Sequence, residues 1–442
     1  LLSSEVQIDA FDLEEAKVNT RDLIKSMQLK GKLQHFYLNS HGVELNPEKI
    51  TLNDVLLEGA NLDIAMRDSV PEDTTKSEEP SKWKINVLQA KVLDSNIRFR
   101  MKEMDVQALL GELAVNDVEA DLQESAFKVP RLSLLRSGLA LNMASGAPKE
   151  GLDYDHIQLD SLNLVAESFF NQGSNLKVDI KRGDFVERSG LRLSELQGNV
   201  QMDAASVHVT DLLLRTPHSH VDLNADLDWT ALDEKGDGQM MVALQSEIGK
   251  KDMLLLAGPD GAKSLKGLLP ESPMLATVNL SGNMQEMLLS NTKIKLDKMV
   301  LASLDGSVRN LLNDAMSGSI NLNAQTGNVT PVLKAMGMTG FAVPSGLKAT
   351  GLAKFSGSRY SFDGNVLEGS GRVKLNALYD TRANQYRANV DANNFNVNHF
   401  LPADSIYLFS GKLDVEGRGL DFNSPRTTAN IKAEISQLQY GK

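Results

Sequence analysis

The stretch L408-F-S-G-K-L-D-V-E-G-R-G-L-D-F-N423 alternates apolar and polar residues and places glycine where the alternation breaks. Side chains of a strand point to opposite faces in turn, so the pattern describes a sheet with one apolar and one charged face. The same phrasing returns in A276-T-V-N-L-S-G-N-M284 and S317-G-S-I-N-L-N-A324. Working outward, comparable short runs appear at I50-T-L52, L62-D-I64, I97-R-F-R-M101, V118-E-A-D-L122, I157-Q-L159, L176-K-V-D-I180 and V221-D-L-N-A-D-L227. Their length and turn-rich spacing suit an all-β assembly and not βαβ units, which need long helical crossovers.

Two kinds of segment interrupt the strands. R67-D-S-V-P-E-D-T-T-K-S-E-E-P-S-K82 is polar, charged and holds two prolines. It buries too little apolar area to offset its ordering entropy, so it reads as an exposed loop. Short helices are expected near 252–257, 330–336 and 397–401, covering an edge or mouth of the sheet. In the second, Thr330 stands at an N-cap and Pro331 in the first turn. They recur at roughly 70 residues, which fits an imperfect repeat. Residues 1–30 mix periods: D12-L-E-E-A-K-V-N-T-R-D-L-I-K-S-M27 reads as helix, whereas V6-Q-I8 and L29-K-G-K-L33 read as strand. The segments are then a β region over 1–66, a loop over 67–82, a first groove segment over 83–250, repeat-like segments over 251–329 and 330–395, and a fourth, cut short, over 396–442.

Composition excludes several functions. The 442 residues carry a formal charge of -12 and no visible basic stripe, which argues against tracking nucleic-acid phosphates. There is no Cys, so thiolate catalysis, disulfides and cysteine metal sites are absent. No run approaches the roughly 18 apolar residues of a membrane helix. The chain opens L1-L-S-S without Met, as a fragment would.

Motifs for chemistry are also missing. H218-S-H220 puts two imidazoles on one side of an extended segment, but a metal would want a third ligand, and a polar strand edge explains the pair. D153-Y-D-H156 reads as a turn before I157-Q-L159. G258-P-D-G-A-K-S264 has Gly261 and Lys263 misplaced for a phosphate loop, and Pro259 removes an amide donor. Carboxylates mostly alternate with apolar residues, as in L413-D-V-E416, and belong to a solvated face. No enzyme activity, cofactor or metal is expected. A glycan hydrolase would need carboxylates clustered in a cleft.

The apolar face must be hidden by a second sheet, by closure into a barrel, or by bound acyl chains in a curled sheet. Ala, Val, Leu and 16 Met offer small, adaptable walls. The expected fold is a long, curled and twisted antiparallel β-groove with repeating units and a few short capping helices. Its expected lipid-facing residues are Leu280, Ile294, Leu296, Ile320, Leu322, Val373, Leu375, Val390, Leu413, Val415, Ile431 and Ile435, each in an alternating run with polar neighbours such as Asn321, Lys374 and Asp414.

K49-I-T-L-N-D-V-L-L-E-G-A-N-L-D-I64, W83-K-I-N-V-L-Q-A-K-V-L-D-S-N-I97, L191-R-L-S-E-L-Q-G-N-V-Q-M202 with its closing T216-P-H-S-H-V221, and the run from Val397 through S405-I-Y-L-F-S-G-K-L-D-V-E-G-R-G-L-D-F-N-S424 carry a resemblance spread over nearly the whole chain. The chain resembles the AsmA-like superfamily, and most of all the N-terminal and middle parts of TamB-type proteins of Bacteroidota. The resemblance implies a periplasm-spanning groove, anchored in the inner membrane in the full-length protein, that conducts phospholipids between the two membranes. It also implies the alternative of a scaffold or chaperone for outer-membrane protein insertion, with an Omp85-family partner engaged through regions outside this stretch. The family has no catalytic motif, and the lining is what carries over.

Overall fold

The computed structural model describes residues 5–22, 27–66, 81–143, 146–335, 342–419 and 425–441. The chain divides into two units, Leu1–Asp222 with Lys251–Ala262, and Leu223–Lys250 with Lys263–Lys442. Both are built from antiparallel β-strands joined mainly by short turns, and each forms a curled single-layer groove.

The first unit contains β1 (Glu5–Val6), β2 (Phe11–Asp22), β3 (Met27–Glu44), β4 (Lys49–Glu58), β5 (Asn61–Met66), β6 (Lys84–Arg100), β7 (Asp105–Asp121), β8 (Ala126–Asn142), β9 (His156–Gln172), β10 (Asn175–Glu187), β11 (Arg192–Met202) and β12 (Ser206–Arg215). The point of division falls in β13 (Ser219–Asp228). From β6 to β12 each strand pairs antiparallel with the next. At the start the order is more complex. β3 pairs with β4 along one half and with β5 along the other, and both of these run parallel to β6. β4 and β5 thus form one interrupted strand between β3 and β6. A parallel pair cannot be joined by a tight hairpin, so a longer connection is required before β6. The loop read at 67–82 lies, apart from its last two residues, outside the described residues. The helix reading of 12–27 fails over its described part: residues 12–22 lie in β2, paired in a ladder with β3, and Met27 opens β3, so pairing overrides the local pattern; residues 23–26 lie outside the described residues.

The long strands of the first unit are bent by bulges. Asp94, Asp117, Arg136 and Ser161 adopt positive φ inside strands. Such a residue breaks the ladder and sharpens the local bend. A buried serine repairs the break in two of these places. Ser95 Oγ accepts from the Ala60 amide (3.0 Å) and donates to the Leu93 carbonyl (2.7 Å). Ser137 Oγ accepts from the Gly111 amide (3.2 Å) and donates to the Leu135 carbonyl (2.9 Å). The hydroxyl replaces the ladder partner that the bend removes.

The second unit contains β14 (Met240–Ile248), β15 (Met274–Gly282), β16 (Glu286–Leu296), β17 (Val300–Arg309), β18 (Ser317–Thr326), β19 (Lys348–Ser356), β20 (Arg359–Glu368), β21 (Gly371–Asp380), β22 (Gln385–Asn396), β23 (Ile406–Arg418) and β24 (Thr428–Tyr440). Each pairs antiparallel with the next, and β17 through β22 do so without a register shift.

All three expected helical segments are helical. α1 (Lys250–Leu256) and α2 (Gly258–Leu265) occupy the connection from β14 to β15, α3 (Thr330–Ala335) that from β18 to β19, and a 3-10 turn (Val397–His399) that from β22 to β23. Residue 336 lies outside the described residues. The Asn328 side chain, rather than Thr330, caps α3 by accepting the Thr330 amide (3.2 Å). The interval is four strands. An even number of antiparallel strands returns the chain to the edge it left, so α3 and the 3-10 turn sit on one edge, and the plain hairpins β19–β20 and β21–β22 on the other.

Among the described residues neither unit has a second layer. Every extensive strand-to-strand contact is between ladder neighbours. Among the described residues only nine hydrophobic side chains are buried, and three of them, Val373, Ala392 and Phe409, form one small cluster. The reading in which a second sheet covers the apolar face therefore fails.

Candidate functional site: an apolar face without a covering layer

In an antiparallel ladder, residues directly opposite share a face. Following the register across the second unit gives three parallel apolar rows. The central row runs Leu304, Leu322, Gly351, Gly364, Leu375, Val390 and Leu413, one residue from each strand from β17 to β23. On one side lies Leu280, Leu289, Gly306, Ile320, Ala353, Phe362, Ala377, Ala388, Val415 and Ile431. On the other lies Ala276, Ile294, Ala302, Ala324, Ala349, Val366, Val373, Ala392, Gly411 and Ile435. Leu296 lies beyond them, between Met274 and Val300. The register thus brings all twelve residues singled out in the sequence onto one face. Val373 is buried, Ile431 and Ile435 are exposed on the edge strand, and the others are half-buried.

The opposite face is polar. Asp305, Asn321, Leu352, Asp363, Asn376, Asn389 and Asp414 follow one another across it, with Leu352 the apolar exception.

Two features of the apolar face escape sequence reading because they exist only across strands. Gly351 faces Gly364, and the Phe362 ring lies over both. A Cβ on Gly351 would come within 2.5 Å of the Asp363 carbonyl and 2.8 Å of that ring. The glycines let the ring lie flat against the backbone. The second feature is an aromatic row. Phe355, Tyr360, Tyr379 and Tyr386 are consecutive partners across β19–β22, two residues nearer the hairpins than Phe362.

The two edges of this part of the groove differ. On the helical edge, Phe395 stacks on Phe400 with centroids 4.9 Å apart, and Phe395 and Val397 pack against the Val373, Ala392 and Phe409 cluster. The hairpin edge is open and carries the aromatic row. There Asp380 accepts from Ser358 Oγ (3.0 Å), the Arg382 amide (3.0 Å), the Ala383 amide (3.1 Å) and Arg359 Nε (3.3 Å). The Ala383 amide first, then Ser358 and Arg359, hold its carboxyl below the usual range.

The first unit carries a further apolar row, none of whose residues is among the twelve singled out in the sequence. Leu13, Phe36, Leu57, Val92, Leu113, Leu134, Leu164, Gly183, Leu196 and Leu214 are successive ladder partners from β2 to β12. Phe36 through Leu214 are half-buried apart from Gly183, which is buried. The signal was blurred because the positive-φ residues shift the alternation within each strand.

Comparison with protein-family models, curated proteins and solved structures finds no match. The functional argument therefore rests on the chain itself.

The other residues weighed for chemistry are accounted for locally. His220 Nε2 lies 3.1 Å from Asp222, and the His218 amide donates to Thr216 Oγ1. Among the described residues no group of three or more His, Asp and Glu is placed to hold a metal ion. Asp153 and His156 form a buried turn: Asp153 accepts from the Lys149 amide (2.8 Å), the Asp155 amide (3.1 Å) and lies 3.0 Å from His156 Nδ1. The Lys149 amide, with His156, lowers the Asp153 pKa. Residues 258–264 form α2. Asp252 in α1 is buried and accepts from Thr216 Oγ1 and Ser219 Oγ. No described helix is long and apolar enough to cross a membrane.

Proposed function

We propose that the chain is a non-enzymatic conduit that holds phospholipid acyl chains along its apolar β-groove. The observation that carries this reading is the set of continuous apolar rows, half-buried and without a covering layer. Leaving apolar surface in water costs roughly 25 cal/mol per Å². A lining of Leu, Ile, Val, Ala and Gly with few directed polar groups suits hydrocarbon better than any polar substrate. The resemblance to TamB-type proteins supports the same reading. On it, the groove works in the periplasm, between an inner-membrane anchor and the outer membrane, with an Omp85-family partner engaged elsewhere in the full-length protein.

A scaffold for outer-membrane β-strands is the second reading. The observation favouring it is β24, whose only described ladder partner is β23 and whose Ile431, Ile435, Leu438 and Tyr440 are all exposed. An edge strand of this kind recruits another strand by main-chain pairing.

Purified protein with Leu322→Asp and Leu375→Asp should lose co-purified phospholipid, measured by mass spectrometry. A charge against hydrocarbon costs several kcal/mol unless paired. Asn321→Asp with Lys374→Asp, on the polar face, should retain it. Both need native circular dichroism. Equal occupancy in the wild type and the lining variant, or none in the wild type, refutes the conduit and promotes the scaffold.

A further inference from the structure

The hairpin edge of β19–β23 combines features that the lining does not require. The aromatic row ends the apolar face there. Tyr379 donates from its phenol to Asn384 Oδ1 (3.0 Å) and Tyr386 to the Thr428 carbonyl (3.4 Å), so both phenols point toward the edge. Tyr360 is 46% exposed, and its phenol has no partner among the described residues. Such rings present an apolar body to hydrocarbon and a polar tip to water.

Immediately beyond the aromatics, the last ladder row on the polar face is Arg359, Asp380, Gln385 and Arg418. Arg387 stands one row back. The side chains of Arg359 and Arg387 are 73% and 71% exposed, and their ion pairs to Asp380 and Glu416, at 3.3 and 3.4 Å, are of the weak surface kind. Arg418 has no ion pair among the described residues. Two adjoining depressions of about 500 and 960 Å³ share Arg359. Both lie mainly on the polar face and reach the rim that carries the aromatic row: one is lined by Lys354, Arg359 and Ser361 with Phe355 and Tyr360, the other by Arg387, Arg418, Asp380 and Glu416 with Tyr386. The charge balance is local. Residues 348–442 hold twelve Lys and Arg against nine Asp and Glu, whereas the whole chain holds 46 against 58. The opposite, helical edge is closed by Phe395, Phe400 and Val397.

Resting on the conduit reading, we infer that this edge is a recognition site for the phosphate headgroup of an anionic phospholipid. Its acyl chains lie across the Ile320 to Val415 row, its glycerol region crosses the rim at the tyrosines, and its phosphate is held on the polar-face side of that rim by Arg359 and Arg418, with Arg387 one row behind. Guanidinium groups give phosphate oxygens paired, directed hydrogen bonds. The arrangement also orients the lipid, because the tyrosines stand beside the arginines at this edge, whereas the helical edge is packed with Phe395, Phe400 and Val397.

The test uses the full chain and fluorescent acyl-labelled phosphatidylglycerol and diacylglycerol, the second having the same tails without phosphate. The wild type should prefer phosphatidylglycerol. Arg359→Gln with Arg387→Gln and Arg418→Gln should lower that preference roughly tenfold and leave diacylglycerol binding unchanged. The triple Lys variant should restore much of it. A preference that is absent, or unchanged in the Gln variant while diacylglycerol binds, overturns the headgroup site and leaves the conduit standing. Failure of the wild type to bind either probe overturns both. Glycerol 3-phosphate supplies the tail-free control: it should not displace the labelled lipid at millimolar concentration. Displacement that is lost in the Gln variant would assign the site to a soluble phosphate ester instead.

Discussion

The strands β6–β9 and β17–β22 solve the same problem differently. Strands β6 to β9 are 17 residues long and interrupted by positive-φ residues, with Ser95 and Ser137 restoring lost backbone bonds. β17 to β22 are 9 to 12 residues long and keep unbroken register. In these shorter strands, small residues and glycine let aromatic rings lie against the sheet. The first region takes up its bends in backbone irregularity, whereas the second keeps a regular ladder and places glycine beneath the Phe362 ring. An apolar face is present in both, so the face, rather than any one residue on it, is what the two regions share.

The largest effect that would sharpen this contrast is expected at Val373, the most buried of the twelve lining residues at 7%. Val373→Asp should destabilise by roughly 3–5 kcal/mol through an unpaired buried charge, read as a lower urea midpoint. A half-exposed position such as Leu322 should tolerate Asp with much less loss. Equal losses at the two sites would mean that the groove is packed throughout. Next, Gly351→Ala should cost about 1–3 kcal/mol, because the new methyl meets the Asp363 carbonyl and the Phe362 ring. Pairing it with Phe362→Leu should recover part of the loss; no recovery would assign the strain to the backbone alone. In the first region, Ser137→Ala should cost about 1–2 kcal/mol by leaving the Gly111 amide unsatisfied. Thr350→Ala, on the polar face of the regular region, should stay within about 0.5 kcal/mol. If the two match, the serines are not holding the bulges. The smallest effect is pH-dependent. Asp153 has a lowered folded pKa, so its contribution is present above the ordinary aspartate value near ~3.9 and fades as pH falls through the lowered one. Asp153→Asn should therefore narrow the stability gap between wild type and variant on acidification below about pH 4. A gap that widens would reverse the assignment.

How far the sequence could be read follows the same division. In β17–β22 the period of two survives, so Leu322, Leu375 and Val390 were legible as members of one apolar face before any register was known, although Gly351 and Gly364 stand between Leu322 and Leu375. In β6–β12 the bulges at Asp94, Asp117 and Arg136 shift the alternation, so the short runs at Leu113 and Leu134 were legible as strand but the row joining them to Val92 was not. The three helical segments were legible from proline and from their interruption of the strands. The parallel pairing of β4 and β5 with β6 was not, because alternation is the same in parallel and antiparallel strands. The aromatic row lay hidden for another reason: Phe355, Tyr360, Tyr379 and Tyr386 belong together only through ladder pairing, and no linear spacing announces it.

The return of the chain to the helical edge after every four strands has a consequence for how such a molecule can change in length. Removing one strand would exchange the two edges and turn every later apolar side chain toward water. Removing a hairpin, for instance residues 348–368, would preserve both faces and shorten the sheet by roughly 9–10 Å, two strand spacings. Length is therefore quantised in pairs of strands. A gene encoding such a fold can be lengthened or trimmed in steps of one hairpin without redesigning what remains.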